Sequence, residues 1–419
     1  TAPAAATKNM FVRDGKLDPT ASQTGPLAVG VPGALAAYRL AVERCGTKPL
    51  ERLLAPGIEL AGEGFAIRSG LASAIARTAA ELREFPAAKA IFLDADGRPL
   101  GEGARLVQTD LANTYRQIAR DGTDWFYWGP FAKECGQWIA AHGGILTAAD
   151  FAAYEPKLRE PLVTTYRGYT IVGFPPPSSG GIHVAQVLNT LEAFALQGIE
   201  RRDPALSAHV VAEAFKLAFA DRAYWRLFAR SDPTRRKDVP THGEPPQWRQ
   251  DVFGRHTTHI AAADAAGNWV AITATINTAF GSKVVVPGTG VVLNNEMDDF
   301  SIMPGVPNAF GLVGAENNSI APGKRPLSSM SPTIVLDAER RPVLTVGAAG
   351  GPKIISQVIL AIVRYLDFEQ PLTEAVAGAR FHHQWRPDRG GGGEGLGGGV
   401  EEGRHGRGRS GEGKVARPG

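Results

Sequence analysis

Apolar positions change their period along the chain: helical spacing dominates its first half, and short strand-like runs dominate the second. Residues 34–44 carry Leu35, Tyr38, Leu40 and Ala41 at helical intervals, and 49–62 read as a second helix. Ala-rich helical faces continue through 69–85, 108–121 and 132–142, the last stopped by Gly143-Gly144. Thr147-Ala148-Ala149-Asp150 reads as a helix start. Residues 166–172 read as a turn feeding a strand, which Pro175-Pro176-Pro177 must end because proline cannot continue a ladder. Ser178-Ser179-Gly180-Gly181 then opens a helix over 183–194. Asp203 and Pro204 start another, running to about Tyr224, with Leu206, Val210, Val211, Ala214, Leu217 and Ala218 expected on its apolar stripe.

Residues 225–256 break this style. They are basic and Pro-rich without a period, and read as an exposed loop or linker. From Thr257 the pattern becomes strands and glycine turns. Residues 260–263 and 269–276 flank the hairpin turn Asp264-Ala265-Ala266-Gly267-Asn268. Residues 284–286 and 291–293 flank a Pro-Gly-Thr-Gly turn, 333–336 and 343–346 form a further hairpin, and 352–366 are a strongly apolar helix. Short strands followed by buried helices predict a sheet covered by helices. Residues 389–419 are Gly- and Arg-rich with almost no aliphatics, so they are expected to be disordered.

Composition narrows the field. A chain of 419 residues suffices for a large core or for two domains. With 43% hydrophobic and 21% charged residues it is ordinary for a globular protein. The net charge of +3 is small, and much of the basic excess lies in 225–256 and 389–419, so no nucleic-acid partner is inferred. Cys45 and Cys135 allow at most one disulfide and suggest no zinc site. No apolar run reaches the roughly 18 residues of a membrane span. The chain starts at Thr1 without a signal peptide in view, as a fragment or processed form would.

The sharpest chemistry sits where the style changes, at Thr257-Thr258-His259-Ile260. If the bond between His256 and Thr257 is cut, Thr257 becomes an N-terminus with a nucleophilic hydroxyl and a free α-amine on one residue. Such an amine, with an ordinary pKa of about 8, takes up the hydroxyl proton near neutral pH. On the dipeptide alone, two threonines opening an ordinary strand is the commoner reading.

Longer motifs change that weighing. They are Thr257-Thr258-His259; Asn277-Thr278-Ala279-Phe280-Gly281; Leu293-Asn294-Asn295-Glu296-Met297-Asp298-Asp299-Phe300; Pro304-Gly305-Val306-Pro307-Asn308; Lys324-Arg325-Pro326-Leu327-Ser328-Ser329-Met330-Ser331-Pro332; and Phe381-His382-His383-Gln384-Trp385. In this order they resemble the small subunit of the γ-glutamyltranspeptidase family. Gly30-Val31-Pro32-Gly33 and the 175–181 run are similar to its large subunit, so the resemblance covers roughly residues 1–224 and 257–388.

The resemblance implies an α/β (α+β) fold, the four-layer αββα sandwich of N-terminal-nucleophile hydrolases. It implies self-cleavage at His256-Thr257 into a large-subunit-like region, 1–256, and a catalytic small-subunit-like region, 257–388, which stay together as a heterodimer. The implied reaction moves a γ-glutamyl group from glutathione or a related amide to water or an amino acid, with no cofactor and no metal, in a periplasmic or secreted setting. Thr257 would be the nucleophile and Thr275 would orient it. Gly350 and Gly351 would offer backbone N–H groups to the oxyanion; as a tight turn before a helix they need no such role. Asn277, Glu296 and Asp299 would hold the donor's α-amine, and Ser328 and Ser329 its α-carboxylate. A solvated acidic turn and ordinary turn serines are the plainer alternatives. Lys8 stands where the family is expected to carry a carboxylate-clamping arginine, and lysine lacks the bidentate fork. His382-His383 reads as packing rather than metal binding.

Three departures set limits. The family's first strand and helix appear absent, 225–256 is unlike the end of a large subunit, and the 389–419 tail replaces the last strands; the two odd segments look like frame-shifted reading. Two competing readings stand beside the first. One is an acylase of the same architecture acting on a glutaryl or cephalosporin-type amide. The other is an uncleaved, inactive remnant.

Overall fold

The computed structural model of the chain describes residues 1–224, 257–385 and 391–393. The irregular stretch 225–256, including His256, and nearly all of the Gly/Arg tail lie outside the described residues.

The first region is largely helical. After the small hairpin β1 (Val12–Arg13) and β2 (Lys16–Leu17) come α1 (Pro19–Gln23), α2 (Ala34–Cys45) and α3 (Leu50–Glu63). The pair β3 (Phe65–Ala66) and β4 (Arg105–Leu106) brackets α4 (Ser69–Arg83) and α5 (Pro86–Phe92). Then follow α6 (Thr109–Asp121), α7 (Asp124–Tyr127), α8 (Pro130–Ala141) and α9 (Ala148–Ala152). The expected start at Thr147 is a capping box: its hydroxyl accepts from the Asp150 amide, while the Asp150 carboxylate accepts from the Thr147 amide. Cys45 is exposed and Cys135 buried, both free thiols, so the single permitted disulfide does not form.

A four-stranded antiparallel sheet joins the two halves of the chain. Its order is β10 (Pro342–Val346), β9 (Thr333–Leu336), β6 (Tyr169–Gly173), β5 (Leu162–Tyr166). β6 comes from before the basic segment and β9 from after it, and they pair through Ile171–Val335 and its neighbours. The strand β5 was not anticipated; its charged surroundings and exposed Val163 mask the period. Against β5 and β6 lies α10 (Gly180–Leu191), and α12 (Pro204–Tyr224) and α13 (Lys353–Leu366) pack on α10, with α11 (Leu196–Arg202) leading into α12. One core draws on all of them, including Ile171, Val187, Phe215, Val335, Ile355 and Ile359.

The stripe expected on α12 needs correction. Leu206 and Leu217 are 46% and 49% exposed, whereas Ser207, Val211, Ala214, Phe215, Ala218, Phe219 and Arg222 are buried. The buried set keeps helical spacing; the two leucines fall off that row.

The strands β7 (Thr257–Ala263) and β8 (Trp269–Thr275) form the hairpin predicted around Asp264, whose carboxylate accepts from the amides of Ala266 and Asn268. After α14 (Leu372–Ala377), β11 (Arg380–His382) pairs with β12 (Gly391–Gly393), a short strand in a stretch whose composition suggested none. His382 is buried between the Ser356 hydroxyl and the Gln384 amide oxygen, at 2.9 and 3.0 Å, the packing role expected of it. Among the described residues no helix is long and apolar enough to cross a membrane, and no group of three or more His, Cys, Asp or Glu forms a metal cluster.

Candidate active site

One pocket collects most of the chemically marked residues. Its non-atom space, adjoining open solvent included, is ≈ 330 Å³, and it is lined by Thr257, Thr275, Asn277, Asp299, Ser328, Ser329 and Gly351, together with Arg222, Phe310 and Met330.

The place of Thr257 follows from strand register. Thr257 and Thr275 are the terminal pair of the β7–β8 hairpin, so their side chains share one face. The Thr257 hydroxyl donates to Thr275 Oγ1 at 3.2 Å, and the Asn277 amide donates to the same oxygen at 2.9 Å. Thr275 therefore supplies an acceptor that points the Thr257 hydroxyl. Asn277, with φ +76°, turns the chain away from β8, and its side-chain amide donates to the Asn295 carbonyl.

The floor is a glycine turn between β10 and α13. Gly350 and Gly351 have φ of +114° and +58°, which aim successive backbone amides away from the usual strand direction. Gly351 lines the pocket and Gly350 stands beside it, not on its wall. A Cβ on Gly351 would lie 2.7 Å from the Phe310 ring, and one on Gly347 would lie 2.2 Å from the His259 imidazole. Only glycine allows both approaches.

A third wall comes from the serines. The Pro175–Gly181 run, noted in the sequence for its composition, is fastened directly to them. The Ser328 amide donates to the Pro177 carbonyl, the Ser179 amide and hydroxyl both donate to the Ser328 carbonyl, and the Ser178 hydroxyl donates to the Met330 carbonyl. A Cβ on Gly180 would meet the Met330 carbonyl at 2.3 Å, so the glycines permit this contact. Ser328 Oγ accepts from the Met330 amide at 3.1 Å, and Ser329 Oγ accepts from Arg222 at 3.1 Å. Neither hydroxyl proton has an acceptor among the described residues, so both are available to an anion in the pocket.

The opposite wall is acidic. A 3-10 turn, Glu296–Asp299, carries three carboxylates. Burial, then the neighbouring charges of Glu296 and Asp298, hold the Asp299 carboxyl well above its ordinary range, against the pull of Arg222. Burial also raises Glu296, to about 7, assisted by the neighbouring Asp298. Among the described residues, Glu296 Oε1 has no hydrogen-bond partner. Glu296 stands behind Asp299 and does not line the pocket. Asp298 is structural: it accepts from the Ser22 hydroxyl at 2.7 Å and from the Ala309 amide at 3.0 Å, tying α1 to the 303–313 loop. Gly30 is held in the same way, exchanging two hydrogen bonds with the Asn294 side chain.

Lys8 is corrected. It does not line the pocket; its side chain is 50% exposed and pairs with Glu316 on the surface. The nearest guanidinium to the serines belongs to Arg222, which sequence reasoning missed. The signal for it was present: a charge on the buried row of α12, three residues after Phe219.

The pocket thus sets the Ser328 and Ser329 hydroxyls, the Arg222 guanidinium and the Asp299 carboxyl around Thr257.

The family model described as Gamma-glutamyltranspeptidase matches residues 1–244 and 229–409. The "Glutathione hydrolase proenzyme" of Escherichia coli (strain K12) is 40% identical over 410 residues, covering 92% of this chain and 70% of that protein. The structure of cephalosporin acylase from Bacillus halodurans superimposes with a TM-score of 0.73 at 26% identity, covering 91% of this chain and 70% of the other. That of Helicobacter pylori gamma-glutamyltranspeptidase gives 0.51 at 38% identity, covering 53% and 64%.

Proposed function

The chain belongs to the gamma-glutamyltranspeptidase family, and from that premise we propose that it moves the γ-glutamyl group of glutathione and related amides to water or an amino acid through an ester on Thr257. The observation that carries the reading is the shared pocket of Thr257, Thr275, Asn277, Asp299, Ser328, Ser329 and Gly351. In this reading the fold is completed as a four-layer αββα sandwich. Residues 1–256 and 257–388 act as large and small subunits, held together by the mixed sheet and core. A periplasmic or secreted setting is part of the same proposal.

The reaction runs twice at one hydroxyl. In maturation, Thr257 Oγ attacks the carbonyl of His256, the C–N bond breaks, and the acyl group moves to oxygen. Water then opens that ester, leaving a carboxylate on His256 and a free α-amine on Thr257. In turnover that amine takes the Thr257 hydroxyl proton as Oγ bonds to the donor's γ-carbonyl carbon. The carbonyl oxygen becomes an oxyanion facing the amides of Gly350 and Gly351. The α-ammonium returns the proton to the leaving amine as the C–N bond breaks. Water or an amino-acid amine next attacks the ester and gives up its proton to the α-amine, which passes it to Thr257 Oγ as that oxygen is expelled.

Asp299 and Asn277, backed by Glu296, suit the donor's α-ammonium, and the Ser328 and Ser329 hydroxyls suit its α-carboxylate. No step calls for a metal or cofactor. The runner-up is an acylase of glutaryl or cephalosporin-type amides, favoured by the overlay on the Bacillus halodurans acylase. It leaves the Asp299 carboxyl at the pocket, backed by Glu296, without an ammonium to hold.

Donor profiling separates the two. The γ-glutamyl anilide is expected to be cleaved at least about tenfold more efficiently than the glutaryl anilide, because the latter lacks the ammonium. Thr257→Ala is expected to cleave neither. A preference for the glutaryl anilide would transfer the assignment to the acylase reading.

A further inference from the structure

Arg222 lies in the last turn of α12, 5% exposed, at the wall of the pocket. Its Nε–H donates to Ser179 Oγ and its Nη2–H to Ser329 Oγ, both at 3.1 Å. Its charge also faces Asp299. Each serine has one proton. Ser179 gives its proton to the Ser328 carbonyl at 2.9 Å, so its oxygen can only accept from the guanidinium. Ser329 accepts from the guanidinium too, and its proton has no acceptor among the described residues. The guanidinium therefore decides which way Ser329 points: oxygen toward Arg222, hydrogen toward the pocket. Through Ser179 the same side chain also holds the backbone of Ser328 in place.

We propose that Arg222 is the positioning residue that makes Ser329 a donor to an α-carboxylate and so sets the pocket's selectivity for amino-acid-like donors. This rests on the donor-site reading given above and adds a residue to it. A buried guanidinium is costly unless it is hydrogen-bonded and opposed by negative charge, and Arg222 has both Ser partners and Asp299. A bound zwitterion would extend that alternation. Its carboxylate would meet Ser329, next to Arg222, and its ammonium would meet Asp299. Lysine could supply the charge but not two fixed donors at one planar group.

Calorimetric titration of the whole chain with L-glutamate and with 4-aminobutyrate, which keeps the amine but lacks the α-carboxylate, tests the inference. Wild type is expected to bind L-glutamate more tightly. Arg222→Gln is expected to weaken L-glutamate by about tenfold or more and to leave 4-aminobutyrate within about twofold, since losing a cation does not harm the ammonium side. Arg222→Lys is expected to fall between, and remains usable if the Gln variant does not fold. Wild-type protein that binds the two ligands alike, or binds neither, overturns the donor-site reading and this inference with it. Wild-type discrimination that survives unchanged in both variants overturns the role of Arg222 alone. Equal weakening of both ligands, with a lowered melting temperature, assigns Arg222 a structural role and also overturns the proposal.

Discussion

Burial pushes the Glu296 carboxyl up to about 7, and among the described residues one of its oxygens has no hydrogen-bond partner. The folded state therefore binds its proton more tightly than the unfolded chain does. Stability linked to Glu296 is fully present below the ordinary carboxylate pKa and is lost as pH rises through the folded value. Glu296→Gln removes that term. At about pH 8 the variant is expected to be more stable than wild type by roughly 1–3 kcal/mol, and near pH 4 the two should be alike. The same change is expected to weaken binding of an ammonium-bearing donor. Thermal melts at both pH values check the first part; a variant less stable at high pH would show that Glu296 is satisfied in the free protein. Motifs in the sequence single out Thr257, Thr275, Asn277, Asp299, Ser328, Ser329 and Gly351 as candidates, and all seven line one pocket. Lys8 was misplaced because a motif fixes a position in the chain, not a direction in space; its side chain points to Glu316.

At the scale of elements, α12 shows where periodicity helps and where it misleads. The helix and its start at Asp203 and Pro204 were readable, and Asp203 indeed accepts from the Leu206 amide at 3.0 Å. Counting apolar residues alone put Leu206 and Leu217 on the buried side. Polar Ser207 and charged Arg222 are buried there instead, and the pocket's Ser329 gives Arg222 a partner. Phe215 is fully buried in the core and Leu217 is 49% exposed. Phe215→Ala is expected to cost about 3–5 kcal/mol, and Leu217→Gln to stay within about 0.5 kcal/mol. Denaturant unfolding of the two variants reads this directly; a costly Leu217→Gln would restore the sequence-based stripe. Strand β5 escaped notice for a related reason. It lies at the edge of the sheet, with Val163 exposed, so alternation gives no clear inward face.

At the scale of the molecule, the sheet β10-β9-β6-β5 interleaves strands from both sides of residues 225–256, and the largest core does the same. Sequence alone could not show this, since pairing between β6 and β9 spans a distance in the chain that no local pattern records. The consequence is that a cut before Thr257 separates the chain without dividing its core. On the proposed reading such a cut makes Thr257 an N-terminal nucleophile. Intact-mass and N-terminal sequence determination on the purified protein puts this to the test. Two fragments that co-elute under native conditions are expected, one beginning at Thr257, and a single uncut species for Thr257→Ala. A single uncut mass for the wild-type chain would contradict it: the α-amine of Thr257 would still be locked in a peptide bond, and the chain would be an uncleaved remnant of its family.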